Sequence, residues 1–177
     1  NWVYLRNPDM DNYCLSSAGL SLKGTGVDLN SIESPTYVAV RQQDIDFTAS
    51  TVVSLGKSEK EAEAGVSVYM SHYDLFLDES GDGTVRVTLR YQLNSISGER
   101  SLPVEIDPAT PVTLSVKGSA EKYSFSCLVN GTDYSLGDLD TRYLSTETAG
   151  GFTGITIGLF AVGDATATFR SFVYQPE

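Results

Sequence analysis

Three glutamates, Glu59, Glu61 and Glu63, have the type and spacing from which chemistry can be built. If they occupied one strand at i, i+2 and i+4, their carboxylates would share a face. Two carboxyls about 5–5.5 Å apart are what retaining glycoside hydrolysis requires. Their setting argues for a duller role. Gly56-Lys57-Ser58 precedes them and Lys60 lies between them, as in a solvated hairpin that does not desolvate a carboxylate and raise its pKa. His72 follows Ser71, pairing a base with a hydroxyl, but neighbours on a strand point to opposite faces. No Gly-x-Ser-x-Gly elbow is present to expose a nucleophile. Asp78-Glu79-Ser80-Gly81-Asp82-Gly83 has the acidic look of a calcium loop. An EF-hand needs Glu at the twelfth position, and Leu89 stands there, so a hairpin turn is expected.

Binding residues are a second class. Arg41 and Gln43 are two apart, and on one strand face a guanidinium and an amide offer planar donor arrays to sugar hydroxyls. The alternative is an ordinary polar face, with Arg41 paired to Asp44 or Asp46. Tyr69, Tyr73, Tyr91 and Phe160 read as lying at or near the polar parity of their strands. There their rings would stack on sugar C–H surfaces, or else pack across strands or dock another domain.

The elements that position these residues are strands. Val85, Val87 and Leu89 alternate with Arg86, Thr88 and Arg90; Val112, Leu114 and Val116 alternate with Thr113, Ser115 and Lys117. The same period of two runs through Phe47–Val53, Val66–Met70, Tyr123–Cys127 and Ile155–Leu159, and the tail Thr166–Tyr174 is β-branched and aromatic. Turn residues punctuate them at Ser80–Gly83, Ser97-Gly98, Asp107-Pro108 and Asn130-Gly131. Ser58–Ala64 is a weak helical turn. Many short strands, each with one apolar and one polar face, predict an all-β fold of two antiparallel sheets packed as a sandwich. One domain over residues 1–177 is expected.

Composition narrows the partners. The net charge is −11, so no basic stripe meets nucleic acid or an anionic membrane. No apolar run reaches the roughly 18 residues of a spanning helix. The chain opens at Asn1 and not Met, from which we expect a stretch upstream. Cys14 and Cys127 form either one long-loop disulfide or two buried thiols. With one histidine they make no zinc site, and no cofactor is expected; loop carbonyls alone remain for a structural calcium. Asn130-Gly131-Thr132 is both a glycosylation sequon and a type I′ turn, and the turn is the favoured reading.

Three stretches in fixed order carry a family resemblance: 34–50 (SPTYVAVRQQDIDFTAS), 63–79 (EAGVSVYMSHYDLFLDE) and 143–163 (YLSTETAGGFTGITIGLFAVG). With Trp2–Pro8, Gly19–Gly24 and the closing Phe172-Val173-Tyr174, the chain resembles the concanavalin A-like C-terminal module of glycoside hydrolase family 43, as attached to β-xylosidases. The resemblance implies a jelly-roll sandwich without catalysis of its own, in a secreted enzyme whose upstream five-bladed propeller holds the catalytic carboxylates. It further implies either contact with xylan- or arabinoxylan-type oligosaccharides, through Arg41, Gln43 and Tyr69, or a structural role against the propeller. A small jelly-roll hydrolase using Glu61 and Glu63 is the third reading. Two departures stand out. Val40 occupies the first place of the family's Arg-Arg pair, and the segment before Val38 lacks the Phe that family members send into the propeller's active site.

Overall fold

The structure is a computed structural model that describes residues 1–69, 72–144 and 154–177. Its strands are β1 (Val3–Tyr4), β2 (Tyr13–Ser16), β3 (Gly19–Lys23), β4 (Thr36–Arg41), β5 (Phe47–Ser54), β6 (Ala62–Tyr69) and β7 (His72–Glu79). They continue with β8 (Val85–Leu93), β9 (Ile96–Ser101), β10 (Val112–Gly118), β11 (Lys122–Val129), β12 (Thr132–Asp140), β13 (Thr156–Gly163) and β14 (Thr166–Pro176). Among the described residues these form two seven-stranded sheets, ordered β1-β4-β13-β6-β7-β8-β9 and β12-β11-β10-β5-β14-β3-β2. Pairing between neighbours is antiparallel throughout the named strands.

The alternation read from sequence is what makes the sandwich. Phe47, Ala49, Thr51 and Val53 are buried while their neighbours on β5 are half-exposed, and the same pattern marks β10 and β11. These residues meet Val66, Val68, Leu75, Leu77, Val87 and Leu159 of the other sheet in one core. Burying each such aliphatic side chain contributes about 1.5–3 kcal/mol, which is why the two apolar faces close on each other. The expected turns form. Asn130 and Gly131 link β11 to β12 with φ of 49° and 80°, the paired positive values of a type I′ turn. Asp82 Oδ1 accepts from Ser80 Oγ at 3.0 Å and from the Thr84 amide at 2.8 Å, closing the β7–β8 hairpin.

Some expectations are corrected. The helical turn at Ser58–Ala64 is an irregular loop that runs into β6. Cys14 and Cys127 are both free thiols, because β2 and β11 lie near opposite edges of one sheet. Cys127 is buried and its thiol is pushed up to about 11, by desolvation first and then by the Asp133 charge; Cys14 is exposed. Met70 and Ser71, and the segment 145–153 that carries part of the family resemblance, lie outside the described residues.

A second, smaller core lies on the outer face of the first sheet. Residues 24–35, between β3 and β4, cross this face and bury Leu29 against Tyr37, Ala39, Phe76 and Phe160. That strap explains why β13 is buried on both faces over most of its length.

Candidate functional site

Register sorts the candidate residues by face. Thr156 of β13 pairs with Arg41 on one side and Tyr69 on the other. Tyr69 in turn pairs with His72, and His72 with Gln92. Arg41, Thr156, Tyr69, His72 and Gln92 therefore make one transverse row on the outer face, at one end of the sheet. Tyr69 is half-buried, its ring stacked on His72 at 6.0 Å and tilted against Tyr37 at 5.6 Å. Gln43 lies just past the end of β4. With Arg41, Asn1, Tyr174, Val3 and Val40 it lines a cavity of mixed character, about 320 Å³. The Tyr174 hydroxyl accepts the Gln43 and Asp44 amides, both at 3.1 Å, which fixes this wall. Gln42 is structural: its Oε1 accepts from Tyr123 Oη at 2.8 Å.

The other three aromatics are not exposed on a polar face. Tyr73 is 1% exposed in the main core, and its hydroxyl donates to the Asp140 carbonyl at 2.7 Å. Tyr91 pairs with Tyr73 in register, shares the parity of Val87 and Leu89, and packs against the same core. Phe160 does sit on the outer face, but the strap covers it completely. The three glutamates do not form a trio. Glu59 and Glu61 precede β6, where the Glu59 amide donates to Asp164 Oδ2 at 3.0 Å. Glu63 alone is on the strand, bound to Arg90 Nη1 at 2.8 Å.

That ion pair belongs to a network that the sequence did not announce. Arg90 also donates to Asp74 Oδ2, from Nε and from Nη2, both at 3.1 Å, and its guanidinium lies 4.4 Å from the Phe76 ring centroid. His72 Nδ1 shares the same carboxylate oxygen at 2.8 Å, and His72 Nε2 is 2.7 Å from Asn30 Oδ1 of the strap. Burial by itself would raise the Asp74 carboxyl; the His72 hydrogen bond and the His72 and Arg90 charges outweigh it and hold it below the usual range. Asp74 Oδ1 and Ser67 Oγ, on paired residues, are buried without a well-formed hydrogen bond, although Ser67 is near enough to favour the charged carboxyl. Burial, then the charges of Glu63 and Glu99, push Asp78 up to about 6. The signal in the sequence was Arg90 opposite Asp74, two charges on strands whose other faces are apolar; their register was the missing information.

A different surface opens at the edge where β1 of the first sheet approaches β2, β3 and β14 of the second. A mainly apolar groove of about 500 Å³ there is lined by Trp2, Tyr4, Met10, Leu15, Phe169 and Phe172, with Arg170 and Ser171 on the β14 side. Trp2 and Phe172 rings are 5.7 Å apart, and Tyr4 meets Tyr13 edge-on at 5.4 Å. Trp2, Met10 and Leu15 are 53%, 54% and 83% exposed, so large apolar side chains face solvent together.

The model of the β-xylosidase C-terminal concanavalin A-like domain matches residues 1–175. The non-reducing end α-L-arabinofuranosidase BoGH43B of Bacteroides ovatus is 30% identical over 175 residues, 94% of this chain and 32% of that protein. The solved structure of Bacteroides ovatus Xyloglucan PUL GH43B shares a TM-score of 0.86 at 30% identity, over 99% of this chain and 36% of that one. The GH43 protein BlXynB of Bacillus licheniformis shares the fold, with a TM-score of 0.85 at 21% identity over 99% of this chain and 37% of its own. The chain spans about a third of the length of the curated relative it matches. It belongs to the family of β-xylosidase C-terminal concanavalin A-like domains, and is a module of glycoside hydrolase family 43 rather than a catalytic unit by itself.

Proposed function

We propose that this family 43 module serves chiefly to dock and support the catalytic part of its enzyme, and that the apolar groove at the sandwich edge is the docking surface. The observation that carries this is the groove itself: Trp2, Tyr4, Met10 and Leu15 hold large apolar side chains in water beside one cavity. Contiguous exposure of this kind is unfavourable for an isolated domain and marks an interaction surface. The relatives continue for about twice this chain's length beyond the matched part, which supplies an occupant in the same polypeptide. That occupant is a catalytic propeller acting on xylose- or arabinose-containing plant polysaccharide outside the cytoplasm. Acidity suits the assignment: at −11 the module repels polyanions and tolerates neutral glycans.

The test compares the complete enzyme with the isolated module. Leu15→Glu changes a side chain that is 83% exposed, so the module's own melting temperature should not move. In the complete enzyme the same change should lower the melting temperature and raise protease sensitivity between the domains. Equal stability of wild type and variant in the complete enzyme would remove the groove from the interface.

A second reading has its own support. The cavity beside Arg41, Gln43 and Tyr174 begins where Arg41 ends the row through Thr156 and Tyr69, and sets an amide and an aromatic edge side by side, a combination that suits a sugar. On this reading the module also touches the polysaccharide. Titration of the isolated chain with xylo- and arabino-oligosaccharides tests it: saturable heat abolished by Tyr69→Ala supports it, and no heat at millimolar sugar ends it.

A further inference from the structure

The strap over the outer face is tied at both ends, Gly24 and Thr25 by backbone bonds to Ala165 and Gly163 and Glu33 and Ser34 by bonds from Arg6 and Asn7, and its middle is held at two adjacent residues. Leu29 is 4% exposed, wedged among Tyr37, Phe76 and Phe160. Asn30 reaches the network just described, where His72 sits 3% exposed between Asn30 Oδ1 and Asp74 Oδ2. Both ring nitrogens thus face oxygen atoms. An ionised carboxylate has no proton to give, so Nδ1 carries one; an amide oxygen has none either, so Nε2 carries one too. Only the doubly protonated imidazolium satisfies both neighbours. A neutral ring fits only if the Asn30 amide turns to present its NH2 group, which puts a different hydrogen bond at the strap. Charge balance favours the imidazolium. Glu63 and Asp74 bring two negative charges against the one positive charge of Arg90, and a charged ring offsets that excess.

We propose that His72 is a proton-dependent latch: its imidazolium, held between Asp74 and Asn30, fastens the middle of the strap over the outer face, and loss of one ring proton loosens it there. The groups around the ring are Asp74 on its own strand, Tyr69, Ser67 and Glu63 from β6, and Arg90 and Gln92 from β8. Thr156 of β13 and Tyr37 of β4 lie on the same face, bonded to each other at 2.7 Å, and the strap adds Asn30 with Asp28 bonded to its amide at 2.9 Å. The fastened strap binds one proton more than a loosened strap beside a neutral ring. Fastening is therefore coupled to that proton and is favoured as pH falls.

His72 is the only histidine in the chain, so its ring signals need no assignment. The experiment is nitrogen NMR of the labelled chain from about pH 5 to about pH 9, with hydrogen-exchange protection factors for the amides of Asn30, Ser31 and Glu33, read in parallel. These amides bond within the strap, to Asp28 and Ser31. We expect both ring nitrogens protonated while the strap is protected. Protection of those three amides should fall about tenfold as the ring loses a proton, the scale of one charge-assisted hydrogen bond, while β10 and β11 stay unchanged. In His72→Gln the strap's pH response should vanish. A singly protonated ring throughout with undiminished protection, or protection independent of ring charge in the wild type, would overturn the latch. Both are read on the wild type, so poor folding of the variant does not decide the matter.

Discussion

Arg90 shows how one side chain is committed to several partners. It neutralises Glu63 and Asp74 together, and Asp74 has no exposure to water. Removing the guanidinium leaves a buried carboxylate that keeps, among the described residues, only its hydrogen bond with His72. Arg90→Met should cost about 3–5 kcal/mol in urea unfolding, the usual penalty for breaking a buried pair by deleting one member. Asp78 behaves oppositely. Its folded pKa is raised to about 6, so between about pH 4 and about pH 6 the native state binds more protons than the unfolded one, and stability falls as pH rises through that window. Asp78→Asn should flatten this part of the stability–pH curve, measured by unfolding at a series of pH values. Residue-level reading of the sequence erred where a hairpin intervened. Tyr69 and Tyr73 look alike in parity if 63–79 is one strand, but Tyr69 pairs with His72 across a hairpin. The face count restarts there, sending His72 outward and Tyr73 inward. The carboxylates went the same way: only Glu63 of the three is on a strand.

At the scale of elements, the turns and alternations were legible because each is a local property. The Asn130-Gly131 hairpin needs two positive φ values, and Gly131→Val should destabilise the protein by about 1–2 kcal/mol through a strained left-handed residue. Thermal denaturation checks this. Gly65 is a case that pattern reading passes over. It pairs with Phe160 and Phe76 at the floor of the second core, and a Cβ there would run into the Leu75 carbonyl and the Phe76 backbone. Gly65→Ala should lower stability by about 1–3 kcal/mol, as overpacking between fixed backbones does. The strap was invisible in the sequence because it has no period: one leucine and one asparagine anchor its middle, and backbone bonds and Arg6 hold its ends. For the same reason Phe160, correctly placed on the outer parity, could not be known to be covered.

On the scale of the whole molecule, two sheets account for the fold, and the edge between β1 and β2 accounts for the proposed docking. The sandwich could be argued from alternation and turn chemistry, and its family from short stretches in order. The groove could not, since Trp2, Met10 and Leu15 near the start of the chain meet Phe169 and Phe172 near its end only through topology. Calorimetric titration of the isolated module with the separately produced catalytic part of its own enzyme tests the central claim most directly. The account predicts saturable binding with a negative heat-capacity change, as apolar burial requires, abolished by Leu15→Glu. Undiminished binding by Leu15→Glu, or no binding by the wild type, would contradict it.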